Sequence, residues 1–377
     1  MKNIGLYIHI PFCESKCFYC DFTSIPTNSN LVEKYFNYLL KELSMVSYKA
    51  KDYLVDTIFI GGGTPSILDG TKIETLLDNI RKEFKLSNNP EITIEVNPGT
   101  MDINKAKSFK RAGINRISMG IQSMNNNSLK SIGRIHDKDQ VIKTVRICKD
   151  CGFDNVSGDL IFGLPNEKSG DFKRTLQEII ELNLSHISMY GLCLEKGTRM
   201  YSWYKKGLLD LPDESEEREM YHLGIDYLRE HDYLQYEISN FAKKGYESRH
   251  NIGYWELKPY IGIGLSSHSN IDDIRYWNGK NFREYFEKLD KEMLPIEGQE
   301  FIDNNLKEVE YLILGIRMNK GISKLDYRNK FGFELMEKHN KAITKHIDSG
   351  LLVDTSESIQ LTRRGMDLSN LVEIDFL

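Results

Sequence analysis

Three cysteines carry the clearest chemical signal in this chain. They stand in Tyr7-Ile-His-Ile-Pro-Phe-Cys13-Glu-Ser-Lys-Cys17-Phe-Tyr-Cys20-Asp-Phe22, a C-x3-C-x2-C spacing directly after a β-like stretch from Leu6 to Ile10. Structural zinc normally takes four protein ligands in a closed tetrahedron, so three closely spaced thiolates suit an iron–sulfur cluster better. A [4Fe–4S] cubane held by three cysteines leaves one iron without a protein ligand, a vacant position where chemistry can occur. The plainer readings are a zinc loop that borrows a distant His or Cys, or three unrelated cysteines.

A second group of residues follows in order. Gly61-Gly-Gly63-Thr64-Pro65 ends a strand candidate, and glycines there let backbone groups approach a ligand without a Cβ in the way. Glu95, Gln122, Arg134 and Asp159 each fall at or near the end of a later strand candidate. Each alone reads as structural; four polar groups at successive strand ends read as one site. Cys148-Lys-Asp-Cys151 has C-x2-C spacing but closes a helix with no second pair nearby, so it and Cys193 read as ordinary buried thiols. For His9 and His136 local hydrogen bonding is the expected role.

The cysteine run resembles the signature of the radical S-adenosylmethionine (radical SAM) enzymes. Its longer form, Tyr-x-His-Ile-Pro-Phe-Cys, is similar to the branch that holds the oxygen-independent coproporphyrinogen III dehydrogenases and the haem chaperones, and the resemblance covers nearly the whole chain. It implies a [4Fe–4S] cluster on Cys13, Cys17 and Cys20. It also implies SAM surrounded by Tyr7, Gly63, Thr64, Glu95, Gln122, Arg134 and Asp159. On that reading Glu95 accepts hydrogen bonds from ribose hydroxyls or the methionine ammonium, and Arg134 pairs with the methionine carboxylate through its planar fork. Tyr7 would stand over the sulfonium. His250-Asn-Ile-Gly-Tyr254-Trp255 resembles a motif on the haem chaperone side of the branch and marks His250 as a candidate haem ligand.

The elements that must position these residues are legible as an alternation. Strand candidates at Gly5–Ile10, Thr57–Gly61, Glu91–Val96, Arg116–Ile121, Asn155–Ile161 and His186–Tyr190 are separated by helix candidates near 31–48, 71–84, 102–112, 137–150 and 170–182. The pattern predicts an α/β protein built on a partial (β/α)6, TIM-like barrel with its chemistry at the carboxyl ends of the strands. A smaller, mainly helical, winged-helix-like domain follows. The expected division is 1–240 for the barrel, 241–300 for a connecting region with the His250 motif, and 301–377 for the C-terminal domain.

Composition sets the remaining bounds. Hydrophobic residues make up 40% of 377 and charged residues 28%, with a net charge of −5, the balance of an ordinary globular protein. No run approaches the length of a membrane-spanning helix, and Met1-Lys2-Asn3 leads straight into the first strand. A cytoplasmic protein is expected, with any membrane association arising through partner proteins. Residues 301–377 hold 11 Lys/Arg against 12 Asp/Glu, which disfavours nucleic acid as a partner.

A methyl- or alkyl-transferring relative acting on another tetrapyrrole or heterocycle stays open as a third function, behind two that lead. One is radical decarboxylation of coproporphyrinogen III; the other is a haem chaperone that keeps cluster and SAM but delivers haem to respiratory proteins. The dehydrogenases carry a further cysteine two residues after the third, where this chain has Phe22, and a sizeable segment ahead of the barrel, where this chain already reaches Cys13. Both departures, with the His250 motif, favour the chaperone. Haem or another tetrapyrrole as cargo, a low-potential electron donor and a homodimer are the further expected partners. Whether SAM is cleaved is left open.

Overall fold

The computed structural model describes residues 1–377. Its centre is a parallel sheet whose first six strands arrive in chain order: β1 (Lys2–Ile10), β2 (Tyr53–Gly62), β3 (Leu86–Val96), β4 (Arg116–Gln122), β5 (Asn155–Phe162) and β6 (His186–Gly191). The crossovers are α1 (Ser29–Val46), α2 (Gly70–Glu83), α3 (Ile103–Ala112), α4 (Lys138–Asp150) and α5 (Ser169–Glu181). These bounds match the expected elements to within a few residues at most ends. Four of the five begin where a polar side chain can satisfy their free amides: Asn28, Asp69, Asp102 and Asp137 accept from the first turns of α1 to α4.

Alternation along β1 shows how the sheet divides its faces. Ile4, Leu6, Ile8 and Ile10 are buried, in the apolar core shared with the helices. Gly5, Tyr7 and His9 point the other way, toward polar groups such as Thr57, His250 and Thr23. The molecule therefore has an apolar layer outside the sheet and a polar one within its curve.

Helix α6 (Glu214–Glu230) leads to β7 (Leu234–Glu237) and β8 (Asn240–Ala242), which close one edge antiparallel to β6. The stretch 241–300, set apart from the sequence as a connecting region, joins the other edge. After the short helix α7 (Arg249–Trp255), β9 (Tyr260–Ile263) pairs parallel with β1 as a seventh parallel strand. Then β10 (His268–Ile271), β11 (Ile274–Asn278) and β12 (Ile296–Phe301) continue the sheet antiparallel. These strands are short and interrupted by Gly and Ser, so they carry too few alternating positions to read as strands.

The last 76 or so residues form a second, separate core. Three helices, α8 (Asn304–Gly315), α9 (Lys324–Phe331) and α10 (Leu335–Asp348), pack on a small sheet of β13 (Ile322–Ser323), β14 (Leu352–Asp354) and β15 (Ser358–Leu361). This is the expected winged-helix-like pattern. Arg363, the first of its two adjacent arginines, is spent on the barrel, where it holds Asp226 and His222 of α6.

Candidate functional site

The cysteine loop crosses the carboxyl end of β1. Phe12-Cys13 pairs with Ile25-Pro26, and the loop between is tied to the rest of the barrel when Phe18 N–H donates to the Ile132 carbonyl at 3.0 Å. Gly63 makes the crossing feasible. A Cβ there would lie 2.6 Å from the Phe12 carbonyl oxygen, so only glycine lets the end of β2 pass under the loop. Thr64 then donates its hydroxyl toward Cys13 Sγ at 3.5 Å.

Around this loop lies a cavity of about 500 Å³ that runs inward between the strand ends. Cys13, Cys17, Cys20, Gly63, Thr64, Glu95, Gln122, Arg134 and Asp159 all line it. The expected cluster and SAM residues, drawn from five strands, are thus brought to one surface, with a single exception. Tyr7 does not reach the cavity. Its ring stacks on Phe59 and its hydroxyl donates to His9 Nδ1 at 3.0 Å, because His9 Nε2 is already donating to the Thr23 carbonyl.

The electrostatics are those of a buried, mutually repelling acid pair with cations at its edge. Burial pushes Glu95 up to about 7, and the nearby Asp159 adds to the rise; the Gly62 amide, 3.0 Å away, and Arg134 pull it back. Asp159 is also raised by burial, although Ser188 and Ser118 hydroxyls donate to it at 2.8 and 3.2 Å. Arg134 donates to Asn97 Oδ1 at 3.1 Å and to the Gly120 carbonyl at 2.9 Å, and its Nε has no partner. Its fork is therefore partly committed to the barrel. Gln122 holds a left-handed φ of 67° at the end of β4, a conformation that costs a non-glycine residue about 1 kcal/mol or more.

The residues suit the groups they are expected to hold. No three His, Cys, Asp or Glu side chains converge on one point as a single metal ion requires. Three thiols spread over one cavity wall instead fit a polynuclear cluster. Burial raises the Cys20 thiol to about 11, so loading iron there must release a proton. Above the loop, the carboxylates of Glu95 and Asp159 favour a cationic ligand.

His250 lies elsewhere. It sits beside Gly5, Thr57 and Glu91, at the amino ends of β1 to β3 and so at the opposite end of the barrel from the cysteines. Both ring nitrogens are engaged, Nδ1 with Thr57 Oγ1 at 2.8 Å and Nε2 with Tyr254 Oη at 2.9 Å. Burial lowers it to about 3, and the adjoining cavity measures about 10 Å³. As placed, His250 locks α7 into the barrel with both ring nitrogens engaged.

Some groups in the site were not singled out from the sequence. Arg116 is 1% exposed, lines the floor of the cavity, offsets the charge of Asp159 and leaves Nε without a partner. It opens a strand, where an arginine carries no distinguishing signal. Asn97 joins Thr64 to Arg134. Cys193, set aside as a buried thiol, is exposed at the same cavity, and hydrogen bonding to Glu195 holds it up at about 11. Cys148 is buried, and Cys151 donates weakly to the Ile103 carbonyl at 3.8 Å.

Similarity to known proteins agrees with this layout. The pattern of the Radical SAM superfamily matches residues 7–179, and that of the HemN C-terminal domain matches residues 309–368. The chain is 34% identical over 372 residues to heme chaperone HemW of Bacillus subtilis, covering 98% of each chain. It is 35% identical over 376 residues to heme chaperone HemW of Lactococcus lactis, covering 100% of this chain and 98% of that one. The Escherichia coli protein of the same name is 32% identical over 379 residues, covering 99% and 98%. Among solved structures, coproporphyrinogen III oxidase (HemN) from Escherichia coli, described as a radical SAM enzyme, superposes with a TM-score of 0.87. It shares 22% identity, over 100% of this chain and 90% of that one, a likeness of fold. Membership of the superfamily implies a [4Fe–4S] cluster and SAM. End-to-end identity above 30% places this chain in the HemW family of the radical SAM superfamily.

Proposed function

We propose that this protein is a cytoplasmic haem chaperone that holds a [4Fe–4S] cluster and SAM, binds haem as cargo and delivers it to haem-dependent respiratory proteins. The observation that carries the reading is the similarity, along the full length, to proteins that each bear the name heme chaperone. Phe22, exposed where the dehydrogenases are expected to carry a further cysteine, points the same way.

In this reading Cys13, Cys17 and Cys20 hold the cluster, and Gly63, Thr64, Glu95, Gln122, Arg134 and Asp159 surround SAM. A reduced cluster held by these cysteines would supply an electron to SAM bound beside it, whether SAM is cleaved there or only bound. Glu95 and Asp159 hold the cationic end of the ligand, while Arg134, steadied by Asn97, keeps one edge for a carboxylate. A low-potential donor and a second copy of the chain are further proposed partners. For His250 to ligate haem iron, α7 must first leave Thr57 and Glu91, and the imidazole must give up its bond to Tyr254 in the same helix.

Anaerobic titration of the cluster-loaded protein with haemin tests this. Saturable one-to-one binding with a Kd of about 10 μM or tighter is expected, and coproporphyrinogen III, SAM and reductant should give no new tetrapyrrole. Loss of two carboxyl groups from coproporphyrinogen III, read by mass spectrometry, would make the protein a dehydrogenase instead.

A further inference from the structure

The cavity at the cysteines reaches deeper than its cluster and SAM residues require. Arg116 opens β4 at the amino end of the barrel, and Ser118 and Gly120 follow it at alternate positions on the same inward face. Asn251, from the first turn of α7, closes this inner end. The space thus runs from the thiols at the carboxyl ends of the strands to an arginine at the other.

Arg116 stands there without a partner. It is 1% exposed, its Nε makes no hydrogen bond, and no carboxylate forms an ion pair with it. A guanidinium cannot shed its charge, so burying one unpaired is costly. Asp159 does not pair with it directly, because that carboxylate accepts instead from Ser188 at 2.8 Å, Ser118 at 3.2 Å and Ser157 at 3.4 Å. Two imidazoles feel the charge, His186 and His250, and burial together with Arg116 itself holds both neutral. Their nitrogens are taken by Ser157, Tyr236, Thr57 and Tyr254. Thr93 is the register partner of Arg116 on β3 and shares the inward face with Glu95, two residues on. Its buried hydroxyl also lacks a partner. Two neighbouring buried groups therefore have hydrogen bonds to give at one spot.

We infer that this inner end is a carboxylate subsite, where Arg116 takes the acid group of a small organic ligand lying beside SAM. The inference rests on the SAM reading of the outer part of the cavity and adds a second occupant to it. The planar fork of Arg116 matches a carboxylate in two parallel bonds, and the Thr93 hydroxyl and Asn251 amide stand close enough in the fold to add a third donor. Size restricts the ligand. A cavity of about 500 Å³ suits one drug-sized molecule, so beside SAM it leaves room for a small acid and not for a macrocycle. Charge couples the two ligands. Glu95 and Asp159 would repel an anion in the empty cavity, and a cation held between them removes that repulsion.

The test is isothermal titration of SAM into full-length, cluster-loaded protein, anaerobically and at constant ionic strength, with sodium acetate as the probe. Acetate should tighten SAM binding saturably, by about fivefold or more, while acetamide, its neutral counterpart in size, should not. The effect should vanish in Arg116→Gln and be weakened in Arg116→Lys, which keeps the charge and loses the fork. Iron content shows whether each variant has folded, and Arg116→Lys alone decides if the glutamine variant has not. An acetate effect absent from the parent, reproduced by acetamide, or equal in parent and folded variants would mean that water alone solvates Arg116, and would overturn the inference. A larger effect of inorganic phosphate would overturn the carboxylate assignment. If the parent binds no SAM at all, the SAM reading fails first and this inference falls with it.

Discussion

Glu95 is the residue on which ligand binding at the cysteine cavity should turn. Its carboxyl stands near 7 because it is buried beside Asp159, so near neutral pH it is only partly ionised. A cationic ligand stabilises the carboxylate and is favoured by it. SAM affinity should therefore fall below pH 7, by up to about tenfold per pH unit for one linked proton. In Glu95→Gln the affinity should drop by about tenfold at pH 8 and lose this dependence, as isothermal titration between pH 6 and 8 would read. Gly63→Ala tests the loop crossing. Its Cβ would press on the Phe12 backbone, at a cost of about 1–3 kcal/mol, and should lower iron and sulfide content after reconstitution. The residues that carry these effects were readable because cysteine, glycine and acid fell at strand ends in order. Arg116 and the sealed ring of His250 were not readable, since burial and hydrogen-bond partners come from segments distant in sequence.

Among the elements, α1 is fastened to the far side of the sheet by one buried carboxyl. Glu42 accepts from Tyr285 at 2.5 Å, from Asn278 at 2.6 Å and from the Gly264 amide at 2.8 Å, and burial holds it near 7. Glu167, accepting from the Leu164 amide, is likewise raised by burial to about 7. For such groups the folded chain keeps a proton that the unfolded chain releases near the ordinary value. Their contribution to stability is full below about 4.5 and is lost as pH rises through 7. Each contributes a slope of about −1.4 kcal/mol per pH unit within that window. Denaturant melts between pH 5 and 7 should show it, and Glu42→Gln should flatten the curve by about that amount. The alternation of the first six strands and five helices was legible because parallel strands buried on their helix-facing side read as apolar runs. The edge strands from 260 to 301 escaped, for their pairing depends on β1, some 250 residues earlier.

For the whole molecule, a few polar contacts set the relation between barrel and C-terminal domain. Backbone bonds from Ile238 N–H to Arg317 and from Asn319 N–H to Tyr236 join the two, with Arg363 on Asp226 at the rim. Arg363 and Asp226 are 47% and 38% exposed, so Arg363→Ala should cost less than about 1 kcal/mol and leave a single cooperative unfolding transition. No helix is long and apolar enough to cross a membrane. The helical pattern of the C-terminal unit was visible in the chain, yet a cleft beside it was not, because its walls are separated by more than fifty residues. The account's central claim, a haem carrier built on a radical SAM scaffold, is tested most directly by haem transfer. Protein loaded with haemin is mixed with the apo form of a haem-dependent respiratory protein, and the Soret spectrum is followed by stopped flow. A transfer rate that rises with acceptor concentration, above passive release to apomyoglobin, is predicted. A rate equal to passive release at every acceptor concentration would contradict it.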